Sequence, residues 1–177
     1  MDIEYAAGRI THKGADEMIA HIKSNNLTLE WIIETHVHAD HLSAAKHVKA
    51  RLGGKIAIGS AIDQVQVSFG KLLNLGPKFT IDGAQFDHLW ADGETFEIGG
   101  LQARVLHTPG HTPGSACYQL GNEIITGDTL FVFGCGRCDM SGGSPEQMYE
   151  TLKHMKERLP GDMLIHPGHN YSVKESC

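Results

Sequence analysis

Residue types that bind metals are concentrated between positions 35 and 41 of this chain. The segment reads Thr-His-Val-His-Ala-Asp-His, so three imidazoles and one carboxylate fall within six residues. Residues two apart share a face in an extended backbone, so His36, His38 and Asp40 can point together. A turn after them can bring His41 beside the other three. Nitrogen and carboxylate donors at this density suit a first-row transition metal, and the segment therefore predicts a metal site.

Three further donors each follow an apolar segment and a glycine. His111 comes after Pro-Gly, Asp128 after Thr-Gly and His169 after Pro-Gly. A glycine lets the backbone turn sharply where a strand ends. A sheet that delivers donors from the ends of several strands builds a rigid site at one edge. The predicted metal ligands are His36, His38, Asp40, His41, His111, Asp128 and His169.

Helices and strands must alternate to position these donors. Apolar spacing predicts helices at 15–25 and 43–52, the second capped by Ser43, and strands at 27–35 and 55–59. Two strand pairs are predicted at 94–98 with 101–107 and at 116–120 with 123–126, around glycine turns. The segment 61–88 is compatible with either a strand or a helix.

The clearest helix begins after Ser144, which is predicted as its N-cap with Pro145 at the first helical position. Gln147 completes a capping box, and Pro160-Gly161 ends the helix. A last strand follows at 162–165. No repeat or linker is visible, so the sequence predicts one α/β domain over residues 1–177.

Composition narrows the functional classes. The chain has 177 residues, 41% of them hydrophobic and 20% charged, as expected for one soluble globular domain. No apolar run approaches the roughly 20 residues that span a bilayer, so no membrane association is expected. The net charge of −6 argues against a nucleic-acid partner. No secretory signal is visible and the four cysteines do not form a disulfide pattern, so we expect a cytoplasmic location.

The order of four segments resembles the metallo-β-lactamase superfamily. They are THVHADH, TPGHTPGS, GDTLF and PGHNY, and the resemblance runs from about residue 28 to 171. It implies an αββα sandwich with metal at the top edge of two sheets. The class B β-lactamases usually carry a different residue where this chain has Asp128, which disfavours antibiotic hydrolysis.

Two branches of the superfamily compete, and the first is the persulfide dioxygenases, which oxidise glutathione persulfide to sulfite and glutathione. The resemblance of this chain to them implies one Fe²⁺ per chain, held by His36, His111 and Asp128. These residues would form a two-histidine, one-carboxylate triad with open positions for oxygen and substrate. In that case these three residues are the catalytic ones. The remaining donors of the predicted set would then orient the ligands through hydrogen bonds.

The second branch is the glyoxalase II proteins, which hydrolyse glutathione thioesters with two Zn²⁺ per chain. The resemblance of this chain to them implies one metal held by His36, His38, His111 and Asp128. The other metal would be held by Asp40, His41, His169 and a bridging Asp128. A third alternative is a non-catalytic metal-binding fragment of the fold.

Local sequence favours the dioxygenase branch. Ala39 gives the HADH form of that branch, and Gly134-Cys135-Gly136-Arg137-Cys138-Asp139 is similar to its GCGRTD loop. Cys138 replaces a threonine there. The segments SPEQMY and PGHNY instead resemble the glyoxalase side.

Two further residues are predicted to bind the glutathione part of a substrate. The Arg137 guanidinium can hold a carboxylate through two hydrogen bonds, and Tyr171 follows the last donor. For each, an ordinary surface or half-buried position is an equally good interpretation.

The sequence is shorter than is usual for members of this superfamily. Its members usually begin with two or three strands before the position of Asp2 and continue beyond Tyr171. We therefore expect the usual N-terminal strands to be absent and a sheet edge or apolar face to lie uncovered. A partner chain, as in a homodimer, would be one way to cover it.

Overall fold

The structure is a computed structural model that describes residues 2–37 and 42–171. Four helices and ten strands alternate along this part of the chain, with a 3₁₀ turn at Tyr5–Ala7. The helices are α1 (Lys13–Ser24), α2 (Ala45–Leu52), α3 (Ile62–Leu72) and α4 (Pro145–Arg158). The strands are β1 (Asp2–Glu4), β2 (Arg9–Thr11), β3 (Trp31–Ile33), β4 (Lys55–Gly59), β5 (His88–Trp90), β6 (Thr95–Ile98), β7 (Leu101–His107), β8 (Ala116–Leu120), β9 (Glu123–Gly127) and β10 (Leu164–Pro167).

Two sheets form the centre of the fold. The larger has the order β10-β9-β8-β7-β6, with β10 parallel to β9 and the other neighbours antiparallel. The smaller is parallel throughout, with the order β3-β4-β5. The first two strands form a separate hairpin. The sequence did not predict this hairpin, whose Asp2 carboxylate accepts a hydrogen bond from the Gly14 amide at the start of α1.

The main core lies between the two sheets. Ala57 and Trp90 of the smaller sheet pack with Phe96, Val105 and Tyr118 of the larger one. The rings of Trp90 and Phe96 stack with their centroids 4.3 Å apart. Alternate side chains of a strand point to opposite faces, so the neighbouring residues of these strands face outwards.

Helices cover the outer faces. Ile58 of β4 packs with Ile62 and Val65 of α3 on the smaller sheet. Cys117 and Ile124 on the larger sheet pack with Met155 of α4. The layers are therefore helix, sheet, sheet and helix, and the predicted αββα sandwich is confirmed. Within the described residues, none of the helices is long and apolar enough to cross a membrane.

Several element boundaries differ from the predicted ones. The first predicted strand is reduced to Trp31–Ile33, because only these three residues pair with β4. The undecided segment 61–88 forms α3 and then β5. The predicted cap of α4 is confirmed, since Ser144 Oγ accepts a hydrogen bond from the Gln147 amide at 3.2 Å.

Candidate metal centre

Four strands of the two sheets deliver polar side chains to one edge of the sandwich. Thr35 and His36 follow β3, and Asp128 follows β9 directly. His111 lies four residues beyond the end of β7, and His169 lies two beyond β10. The carboxyl ends of β9 and β10 meet because these strands are parallel.

The Asp128 carboxylate lies at the centre of this group. Its Oδ2 is 3.9 Å from His36 Nε2 and 3.5 Å from His111 Nε2, while its Oδ1 is 3.7 Å from His169 Nε2. One ligand atom each from His36, His111 and Asp128 lies within 4.8 Å of the other two. The structure therefore brings together four of the seven predicted donors, and three of them form a compact candidate metal-binding set.

The hydrogen bond at His111 selects the nitrogen that faces the centre. His111 is 2% exposed, and its Nδ1 lies 2.7 Å from the Arg137 carbonyl oxygen. A carbonyl only accepts, so Nδ1 carries the proton in the neutral ring and Nε2 presents a lone pair towards Asp128. Such hydrogen bonds orient a metal-binding imidazole and fix its tautomer. At His36, Nδ1 is likewise 3.1 Å from Thr35 Oγ1.

Close backbone approaches explain the glycine before Asp128 and the one before His169. A Cβ at Gly127 would lie 2.4 Å from Thr35 Oγ1, and this residue also has a positive φ of 50°. A Cβ at Gly168 would lie 2.6 Å from Asp128 Oδ1. Real Cβ atoms do not approach so closely, so the donors converge only because these two positions lack side chains.

Three predicted donors lie outside the described residues. They are His38, Asp40 and His41, which belong to the segment 38–41. Their part in a second metal position therefore stays a prediction.

A cavity of about 430 Å³ opens onto the centre. Its wall includes aromatic rings, the loop between β9 and α4, and three of the donors. The lining residues are His111, Asp128, Phe131, Phe133, Gly134, Cys135, Gly136, Arg137, His169 and Tyr171. Both residues predicted to bind substrate are among them.

Arg137 has a partner on its own loop. Its Nε and one terminal nitrogen donate to the two carboxylate oxygens of Asp139 at 2.7 and 2.8 Å. This pairing raises the pKa of Arg137 and, with a backbone hydrogen bond, lowers the pKa of Asp139 to about 2. Both side chains are about two-thirds exposed, so the guanidinium can exchange this partner for another carboxylate.

Tyr171 is exposed and stacks on His169, with ring centroids 5.5 Å apart. Phe131 meets both rings edge-on, at 5.7 Å from His169 and 5.4 Å from Tyr171. The three rings form one wall of the cavity beside the candidate metal ligands. Sequence reasoning did not identify Phe131, although it stands three residues after Asp128 in the segment GDTLF.

A two-sheet sandwich that gathers imidazoles and a carboxylate at one edge defines a class of metal-binding α/β proteins. The family model of the metallo-beta-lactamase superfamily matches residues 6–169. The chain belongs to this superfamily, whose members are metalloenzymes.

Relatives with curated descriptions support the same family. A protein named glyoxylase B2 from Dictyostelium discoideum is 44% identical over 95% of this chain and 59% of its own length. A probable metallo-hydrolase of Burkholderia pseudomallei is 40% identical over 97% of this chain and 62% of its own length. The chain thus spans about three fifths of the length of these relatives.

A similar solved structure is that of ETHE1 from Myxococcus xanthus. It is 29% identical to this chain, with a TM-score of 0.74 over 93% of this chain and 64% of the other.

Proposed function

We propose that this chain has the activity of an iron-dependent persulfide dioxygenase, which oxidises glutathione persulfide to sulfite and glutathione. The observation that carries the proposal is the convergence of His36, His111 and Asp128 beside an open cavity. Two imidazoles and one carboxylate on one face form the ligand set of non-haem Fe²⁺ oxygenases, in which the remaining positions accept substrate and oxygen.

The donors fit this metal. Two neutral imidazoles and a carboxylate are ligands that Fe²⁺ and Zn²⁺ both accept, whereas a closed structural zinc site usually has four ligands rich in cysteine. Bound Fe²⁺ would supply redox chemistry with oxygen, which Zn²⁺ cannot supply. The Arg137 carbonyl and the Thr35 hydroxyl would hold the two imidazoles in place.

Other residues of the cavity would bind the substrate. The exposed Arg137 guanidinium would exchange Asp139 for a glutathione carboxylate, a planar group that it can hold through two hydrogen bonds. Tyr171 lines the same cavity and would contact the same tripeptide, with Phe131 and His169 holding its ring.

One observation favours a second candidate, a zinc-dependent thioester hydrolase of the glyoxalase II type. The two oxygens of Asp128 face different imidazoles, Oδ2 towards His36 and His111 and Oδ1 towards His169. A carboxylate in this orientation can bridge two metals. His38 would complete one metal position, and Asp40 and His41 the other. Bound Zn²⁺ would supply a metal-activated water as nucleophile at neutral pH.

The metal and the reaction can be tested together. The chain is loaded separately with Fe²⁺ and Zn²⁺, and bound metal, oxygen uptake with glutathione persulfide and cleavage of a lactoylglutathione-type thioester are measured. We expect about one Fe²⁺ per chain and oxygen uptake that produces sulfite. Two equivalents of zinc with thioester cleavage and no oxygen uptake would replace the first candidate by the second. Full metal occupancy with neither reaction would support the third alternative, a metal-binding fragment.

A pair of variants ties the reaction to the centre. His111→Ala removes a buried donor and should abolish both metal binding and turnover. His21→Ala, on the exposed face of α1, should change neither. A cytoplasmic location, a homodimer and the lack of a nucleic-acid partner stay predictions of the sequence.

A further inference from the structure

The loop from Cys135 to Cys138 contacts two of the metal donors through its backbone. The Gly136 amide donates to the Asp128 carbonyl oxygen at 2.8 Å, and the Arg137 carbonyl accepts from His111 Nδ1 at 2.7 Å. A Cβ at Gly136 would lie 2.4 Å from that Asp128 oxygen and 2.8 Å from His111 Nδ1. The two residues between the cysteines are therefore packed directly against both donors.

The two thiols differ in accessibility. Both are free, but Cys135 is exposed and lines the cavity, whereas Cys138 is partly buried. The Cys138 thiol donates to the Gly136 carbonyl oxygen at 3.4 Å. Burial raises the pKa of the Cys138 thiol, and the nearby Cys135 and Asp139 raise it further. An incoming reagent would thus meet Cys135 first, and Cys138 is three residues further along the same loop.

We propose that Cys135 and Cys138 form a reversible disulfide, and that this bond controls metal binding at the neighbouring centre. The oxidant is a small-molecule disulfide such as oxidised glutathione. The Cys135 thiolate attacks one sulfur of the oxidant, forming a mixed disulfide and releasing one thiol. The Cys138 thiolate then attacks the Cys135 sulfur and releases the second thiol. Two cysteine protons and two electrons leave the protein, and the oxidant becomes two thiols.

The effect on the centre follows from the contacts of the loop. A disulfide across Cys135 and Cys138 draws the intervening Gly136 and Arg137 backbone into a tight ring. The carbonyl that holds His111 and the amide that holds Asp128 then move together. Loss of such a supporting hydrogen bond commonly weakens metal binding 10- to 100-fold. We expect the oxidised chain to bind Zn²⁺ at least about tenfold more weakly than the reduced chain.

Trypsin provides a direct test of the disulfide, because Arg137 lies between the two cysteines. Cleavage separates peptides 105–137 and 138–153 unless a bond joins them. The metal-free full chain is treated with oxidised glutathione, digested and analysed by mass spectrometry before and after reduction. We expect joined peptides that separate on reduction. Fragment ions should place the bond at Cys135 and not at the buried Cys117. Separate peptides after exhaustive treatment would overturn the proposal.

Cysteine variants test formation of the disulfide, and metal affinity tests its effect on the centre. Cys138→Ser should trap a glutathione adduct on Cys135, and Cys135→Ser should give neither adduct nor joined peptides. Cys177→Ser should behave like the unchanged chain. Zn²⁺ affinity is measured by competition with a chelator in the reduced and oxidised states. Equal affinity in both states would overturn control of the centre.

This inference rests on the proposed function only in one respect, which is that the candidate centre binds a metal whose affinity the disulfide changes. Joined peptides in a chain that binds no Zn²⁺ in either state would support the disulfide and overturn the metal centre.

Discussion

At the scale of single residues, the centre depends on how closely the backbone can approach Asp128. The Gly168 amide donates to the Gly127 carbonyl at 2.8 Å, which brings the end of β10 against the turn that carries Asp128. The carboxylate is 9% exposed, so neighbouring groups hold it in one orientation. A small displacement there changes the distances to all three facing imidazoles.

Gly168→Ala should therefore weaken metal binding without unfolding the chain. The added methyl group would lie 2.6 Å from Asp128 Oδ1 and 3.1 Å from the Gly127 carbonyl carbon, so the carboxylate must move. We expect a loss of Zn²⁺ affinity of about tenfold or more, measured by chelator competition. Gly161→Ala is the matched control, because no heavy atom lies within 4 Å of its added Cβ. Equal affinities of the two variants would contradict this account of the site.

At the scale of elements, α4 holds the segment that presents His111. The Ser144 amide donates to the Gly110 carbonyl at 2.8 Å, and Thr151 Oγ1 donates to the Pro109 carbonyl at 2.7 Å. Met148 packs so closely on Gly110 that a Cβ there would lie 2.6 Å from the Met148 Cα. The first two turns of the helix thus fix the backbone just before the buried histidine.

Removing the cap of α4 should lower stability by a measurable amount. Ser144→Ala loses the hydrogen bond from the Gln147 amide, which should reduce the free energy of unfolding by about 1 kcal/mol. Urea denaturation of the metal-free protein measures the difference. Ser144→Asn retains a side-chain acceptor at the cap and should stay close to the unchanged chain. An alanine variant as stable as the asparagine variant would show that the cap contributes nothing.

Elements with strong local signals were predictable from the sequence. The cap of α4 and the two strand pairs around glycine turns depend on neighbouring residues, and the structure confirms them. The segment 61–88 was not predictable, because α3 is fixed by packing of Ile62 and Val65 on the smaller sheet. Pairing between distant segments also decided how much of 27–35 became β3.

The donors of the site were predictable by type, but their support was not. His111, Asp128 and His169 each directly follow a glycine that comes after an apolar segment, which the sequence displays. The Arg137 carbonyl that holds His111 is a backbone group, so this hydrogen bond cannot be predicted from the types of the residues. The contact of Gly136 with the Asp128 carbonyl oxygen cannot be predicted from the sequence either, because it forms only when the loop 135–138 packs against Asp128.

At the scale of the whole molecule, a surface ion pair connects the outer helix α2 to the smaller sheet. Asp87 lies just before β5 and accepts from Lys49 Nζ of α2 at 2.6 Å. Its other oxygen accepts from the Ile56 amide of β4 at 2.7 Å. One carboxylate thereby joins a helix of the outer layer to the parallel sheet beneath it.

This contact predicts how stability responds to acid. The Lys49 ammonium and then the Ile56 amide hold the pKa of Asp87 below its ordinary value of 3.8. A carboxyl group whose pKa is lowered by folding stabilises the native state fully above the unfolded pKa. That contribution is lost as the pH falls below 3.8 and through the folded pKa. Asp87→Asn should therefore be less stable than the unchanged chain at pH 7, with the gap closing in acid.

Thermal unfolding of the metal-free chain and the variant from pH 7 to below pH 3.8 measures this gap. Taking the difference between the two proteins cancels the titration of the histidines and the other carboxylates, which both proteins share. Asp162→Asn, at the exposed turn before β10, should show a much smaller gap at pH 7. A gap for Asp87→Asn that stays constant or widens in acid would mean that the carboxylate charge does not connect α2 to the sheet.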